Sequence, residues 1–201
     1  MAEKKRIAVL VSGGGTNLQA LIDAQNRGEN PNGEIVLVIA SNEKAYALQR
    51  AENAGIKHMV LSRKALGGAE AFDNALLKVL EEERIDLVVL AGFLSILGQK
   101  VTDAFARRII NVHPALIPSF CGEGFYGLKV HEAGLSYGVK VTGATVHFVN
   151  EIPDGGQIIL QKAVDVLPED TAETLQKRVM VEAEWIILPK AVAMWCSGEI
   201  S

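Results

Sequence analysis

Two cysteines, Cys121 and Cys196, stand in a chain of 201 residues, and their surroundings form no redox or metal-ligand pattern. That excludes a disulfide framework and fits a reduced cytosol. There is no basic excess: 20 Lys and Arg face 24 Asp and Glu, a net charge of −4. A nucleic-acid backbone is therefore a poor first partner. No leader-like segment opens the chain, since Met1-Ala2-Glu3-Lys4-Lys5-Arg6 runs straight into an apolar segment. The longest strongly apolar stretch, Leu87 to Gly98, is too short to span a bilayer. The four histidines and the carboxylates show no spacing such as HExxH, so no metal site is expected. The chain reads as a cytoplasmic protein that meets neither membrane nor nucleic acid.

What is there is an ordinary globular balance, 49% hydrophobic and 22% charged. Length and the lack of repeats or linkers predict one domain over residues 1–201. Strand-like runs alternate with helical ones. Arg6–Val11, Glu34–Ala40, His58–Leu61, Asp86–Ala91 and Arg108–Val112 read as strands, several of them apolar on both faces. Helical spacing follows the first run up to Arg27, with Thr16 and Asn17 as caps. It recurs over Lys44–Ala54, Ala69–Arg84 and Leu128–Leu135. Thr102 reads as the cap of a helical turn. Val139–Val149 and Gln157–Val166 read as strands joined through the turn Pro153-Asp154-Gly155-Gly156. Thr171–Cys196 is a long helical pattern with a bend expected at Pro189. Strands apolar on both faces and separated by helices imply an α/β fold. The expected form is a doubly wound, mostly parallel sheet, with helices on both faces and an antiparallel edge.

Ligands of such sheets bind beyond the carboxyl ends of the strands. Three strand ends carry chemistry. Ser12-Gly13-Gly14-Gly15-Thr16-Asn17 follows the first strand, Gly92-Phe93-Leu94-Ser95 the fourth, and His113-Pro114 the fifth, with Asn111 just before. The glycine run lacks the Walker lysine and the dinucleotide spacing. Glycines and a helix start still suit an anion, so Gly13–Asn17 reads either as a phosphate cradle or as a tight strand-to-helix turn. Asn111 and His113 alternate onto one face of a strand, where an amide donor beside an imidazole suits a reaction that develops an oxyanion and moves a proton. Alternatively, His113 is a hydrogen-bonded histidine starting a loop. Asp154 is local turn chemistry in isolation, or a carboxylate that raises the His113 pKa. His147 reads as a packed histidine, His58 and His131 have no supporting partners, and Cys121 reads as a plain loop cysteine.

Taken together these segments carry a resemblance. Val9 to Leu18, Leu90-Ala91-Gly92-Phe93, Ile110 to Pro118, Gly143 to Val149 and Asp154 to Gln161 resemble, in this order and spacing, the phosphoribosylglycinamide formyltransferases among the folate-dependent formyltransferases. The resemblance covers nearly the whole chain. It implies the formyltransferase fold and transfer of a formyl group from 10-formyltetrahydrofolate to the amine of glycinamide ribonucleotide, in purine synthesis, without a metal. It implies Asn111, His113 and Asp154 as the catalytic set, and Gly15, Thr16, Asn17 and Glu184 as contacts to the nucleotide. The folate is expected against Leu94, Ser95, Ile96, Leu97, Asn111 and Asn150. A monomer or a homodimer is expected. The chain departs from the family pattern at Ala69 and Ser95, where basic residues are common, and in the loop Ser119–Gly127.

Two related enzymes and one other class compete. A methionyl-tRNA formyltransferase and a formyltetrahydrofolate hydrolase share the Asn…His…Asp core, but each carries an added domain for which this length is expected to leave no room. A non-catalytic nucleotide-binding module would keep Gly13–Asn17 without needing Asn111, His113 and Asp154 together.

Overall fold

Segments apolar on consecutive residues need cover on both faces, and they receive it. A computed structural model describes residues 3–201; Met1 and Ala2, where the leader-free start was expected, lie outside the described residues. The elements in chain order are β1 (Lys5–Val11), α1 (Thr16–Asn26), β2 (Gly33–Ala40), α2 (Ala47–Asn53), β3 (Lys57–Val60), α3 (Ala69–Glu82), β4 (Leu87–Leu90), α4 (Gln99–Ala104) and β5 (Ile109–His113). There follow α5 (Leu128–Tyr137), β6 (Val141–Phe148), β7 (Ile158–Asp165), α6 (Ala172–Val179), a π-helical turn (Met180–Glu184) and α7 (Trp185–Cys196).

The strands form one sheet in the order β3-β2-β1-β4-β5-β6-β7. The first five are mutually parallel, and β6 and β7 are added antiparallel. The α/β reading with an antiparallel edge is correct. Alternation along β1 divides the core. Ile7, Val9 and Val11 pack with Leu18 and Leu21 of α1 and Ile187 and Leu188 of α7. Ala8 and Leu10 pack on the opposite face with Phe72, Leu76 and Leu80 of α3 and Val101 of α4. Emptying a fully buried position such as Phe72 to alanine costs about 3–5 kcal/mol.

Three local expectations are corrected. Thr16 and Asn17 do not cap α1: Gly15 is the N-cap, in the left-handed region, and no side chain caps the helix. Thr102 lies inside α4, where its hydroxyl donates to the Gln99 carbonyl. The helix expected from Lys44 begins only at Ala47, because Lys44 N–H and Ala45 N–H are turned onto Asn42. Pro189, where a bend is expected, lies inside α7 and has no N–H for the carbonyl of Trp185 four residues back. Upstream of it the helix widens in the π turn Met180–Glu184. Such turns are frequent at functional sites.

Candidate active site

The parallel strands deliver their carboxyl ends to one edge of the sheet, and Ser12 ties three of them together. Its hydroxyl lies 2.8 Å from that of Ser41 after β2 and accepts the N–H of Leu94 after β4 at 3.0 Å. The glycine loop is then fixed by α2: Ala47 N–H donates to the Gly13 carbonyl and Arg50 Nε to that of Gly14. Gly15 has φ +72°, and a Cβ there would stand 2.7 Å from that of Ala47. Only glycine fits this approach.

Beyond this edge lies a cavity of about 450 Å³. Gly15, Thr16 and Asn17 line one wall, Glu184 and Met180 another, and Asn111, His113 and Asp154 the far end. The uncapped start of α1 thus opens on the cavity, a setting that favours an anion. Glu184 is buried and takes the Asn17 amide N–H at 2.6 Å. Burial pushes the Glu184 carboxyl up, against the opposing effect of that bond.

At the far end, β5 presents Asn111 and His113 on one face, and the antiparallel register sets His147 opposite Asn111 and Thr145 opposite His113. Thr145 is fully buried; its hydroxyl donates to the Ala115 carbonyl and accepts Ile117 N–H, which holds the chain after His113. Asp154, in the left-handed region at φ +55°, returns over the strand ends. Its Oδ2 is 3.5 Å from His113 Nδ1 and its Oδ1 3.5 Å from His147 Nε2. The loop Ser119–Gly127 closes the group: Gly122 N–H donates to Asp154 Oδ2 at 2.8 Å, and His113 Nε2 lies 2.8 Å from the Phe120 carbonyl.

Burial pulls the His113 imidazole below its ordinary 6.5, while Asp154 and the Phe120 carbonyl pull the other way without cancelling it. The expectation that Asp154 raises this pKa holds for its own contribution and fails for the sum, because losing water costs the charged ring more. Burial also works to raise the Asp154 pKa, but His147, His113 and the Gly122 N–H outweigh it and keep the carboxyl below its ordinary range. The pair is therefore a carboxylate facing an imidazole whose charged form is disfavoured by burial and favoured by that carboxylate.

A second hollow of about 120 Å³ adjoins this group. Ser95, Ile96, Leu97, Asn111 and Asn150 line it, with Ile152 and His147. Leu94 lies instead on the larger cavity. Leu94, Ile96 and Ile152 leave their side chains mostly exposed around these openings, as an apolar rim. Ala69 only starts α3 and is on neither wall.

The profile of the formyl transferase family matches residues 5–192. The chain belongs to that family. Within it, the phosphoribosylglycinamide formyltransferase of Haemophilus influenzae is 40% identical over 196 residues, 98% of this chain and 89% of that one. The trifunctional purine biosynthetic protein adenosine-3 of Bos taurus is 46% identical over 198 residues, 98% of this chain. The chain spans 19% of the length of that trifunctional relative. Among solved structures, glycinamide ribonucleotide transformylase 1 from Symbiobacterium toebii superposes with a TM-score of 0.93 at 40% identity, covering 100% of this chain and 92% of that one.

For this formyl transferase, sequence reasoning passed over His147 as a packed residue. It is buried, as expected, but it also contacts Asp154 and Asn111. The available signal was alternation: Thr145 and His147 share a face, and pairing β5 with β6 turns that face toward Asn111 and His113. The backbone groups of Phe120 and Gly122 carried no signal in residue type.

Proposed function

We propose that the protein transfers the formyl group of 10-formyltetrahydrofolate to the amine of glycinamide ribonucleotide, as one catalytic domain working in the cytoplasm. The observation that carries this reading is the convergence of Asn111, His113 and Asp154 at the end of a cavity whose other wall is a glycine-rich helix start. Gly15, Thr16 and Asn17 hold the nucleotide phosphate through backbone N–H groups, and Glu184 faces the same ligand. The pteridine lies in the smaller hollow, against Ser95–Leu97 and Asn150, with Leu94 at the rim.

The nucleotide amine attacks the formyl carbon, and the formyl oxygen gains negative charge. Asn111 offers an amide N–H to that oxygen, and His113 stabilises it in the imidazolium form. The new charge favours protonation of a ring that burial otherwise keeps neutral. Asp154 holds the imidazolium at Nδ1. The proton that the attacking amine loses is taken up by His113 at Nδ1 and passed to the folate nitrogen as its bond to the formyl carbon breaks. No covalent enzyme intermediate enters, which is consistent with Cys121 having its thiol pKa raised by burial and by Asp154.

The test is turnover of purified protein with both substrates, followed as tetrahydrofolate released and formylated nucleotide formed. Absence of turnover at saturation overturns the reading, and release of formate with water as the only acceptor replaces it with a hydrolase.

A further inference from the structure

The loop Ser119–Gly127 closes the site, and its conformation is unusual at one residue. Phe120 is a non-glycine residue at φ +49°. An L residue there is strained, and such strain persists only where the surroundings over-determine it. Here they do. The Phe120 ring stands edge-on to Phe125 at 6.3 Å and to Tyr137 of α5 at 6.1 Å, with Gly134 leaving room beside its edge. The ring is thus seated on α5 while the carbonyl of the same residue points back at His113.

That carbonyl lies 2.8 Å from His113 Nε2. A carbonyl only accepts, so Nε2 carries a proton in the neutral ring as well as in the charged one. Nδ1 is left facing Asp154 Oδ2 at 3.5 Å. Two residues on, Gly122 N–H holds that same carboxylate oxygen. One short stretch of backbone therefore grips both members of the pair, one by an acceptor and the other by a donor.

We propose that Phe120 is a positioning residue for His113: its ring, seated on α5, holds its carbonyl on Nε2 and so assigns proton gain and loss to Nδ1, opposite Asp154. The inference rests on His113 being the proton-transferring group. The bond also favours the imidazolium, because it strengthens when the ring is charged. The other titratable groups around His113 are Asp154 from the β6–β7 connection, which favours the charged form, His147 from β6, which opposes it, and His131 from α5, whose own protonation His113 opposes.

The test reads the imidazole directly, apart from turnover. Long-range proton–nitrogen NMR of the full chain labelled at histidine, with His113 assigned by His113→Gln, is expected to show the Nε2–H tautomer above its pKa. An Nδ1–H tautomer overturns the proposal. Phe120→Ala is expected to mix the tautomers, lower the His113 pKa and cut kcat about tenfold, with the nucleotide KM little changed. The alkaline fall of kcat then moves to lower pH. Phe120→Tyr keeps the ring seat and is expected to restore wild-type behaviour. Should Phe120→Ala fail to fold, Tyr137→Ala, at a largely exposed side chain, loosens the same seat and is expected to give a smaller shift of the same sign. Unchanged tautomer and pH profile in the variant that folds overturn the role of Phe120. Loss of formyl transfer in the wild type would instead sink the proposed function and leave the tautomer result standing.

Discussion

Asn111 and His147 meet across the antiparallel pair of β5 and β6, with Nδ2 3.1 Å from Nε2. The other nitrogen of His147 lies 2.8 Å from the Phe148 carbonyl and must donate to it. In the neutral ring, Nε2 then accepts, and the Asn111 amide is the donor; in the charged ring, Nε2–H is left for Asp154 Oδ1 at 3.5 Å. His147 thereby decides which end of Asn111 is held and which N–H remains for a reacting oxygen.

His147→Leu removes that acceptor and leaves the Asn111 amide free to turn. We expect kcat to fall by about ten- to a hundredfold, less than when an oxyanion donor is itself removed because Asn111 remains, with the nucleotide KM nearly unchanged. His147→Gln keeps an acceptor oxygen and should recover part of the loss. Steady-state kinetics of the two variants side by side check this; equal rates would show that the ring does nothing for Asn111.

Asp154→Asn removes the charge that supports the His113 imidazolium. A fall in kcat of about a hundredfold or more is expected. The sign of the pH effect is fixed by the geometry. Asp154 raises the His113 pKa and burial lowers it, so neutralising the carboxylate moves the ionisation seen in kcat/KM further below 6.5. Movement toward alkaline pH would contradict the pairing.

Gly15→Ala strains the start of α1, because φ is +72° and the new methyl would press on Ala47 at 2.7 Å. A stability loss of about 1–3 kcal/mol is expected from the backbone alone. As the loop must shift, the nucleotide KM should rise while the folate KM holds. Equal changes in both would point to general damage rather than to a cradle.

His131→Leu tests a buried group outside the catalytic set. Neither ring nitrogen of His131 has a hydrogen-bond partner among the described residues, and burial, with His113 nearby, lowers its pKa from 6.5 to about 4. The folded protein holds the neutral ring. Its stability is therefore complete above pH 6.5 and falls as pH drops toward 4, by a total of about 3 kcal/mol. The leucine variant should lose that acid slope and gain about 1 kcal/mol at neutral pH by removing unpaired nitrogens. Urea midpoints at pH 7.5 and pH 5 measure both effects.

How far these features were legible in the sequence follows from their physics. The sheet was legible because β1, β2 and β4 are apolar on successive residues, a pattern that parallel strands buried on both faces require. The places of Gly15, Asn111 and His113 were legible because strand ends in such a sheet share one edge. For Asp154 the residues left two readings open, local turn chemistry or a partner of His113, and the resemblance favoured the second. The π turn Met180–Glu184 was not legible, because no residue type within it announces a widened turn. Nor were the contacts of Phe120 and Gly122, because they are made by backbone atoms that every residue possesses.

The bond between Asn17 and Glu184 joins positions 167 residues apart. During synthesis, α1 emerges early and Asn17 waits for a partner near the other end of the chain. The segment that carries Glu184 runs on into α7, whose Ile187 and Leu188 cover one face of β1. A nascent chain that stops short of residue 184 therefore lacks one wall of the larger cavity and the cover of that face together. Closing of the core and completion of the cavity should report the same moment of synthesis.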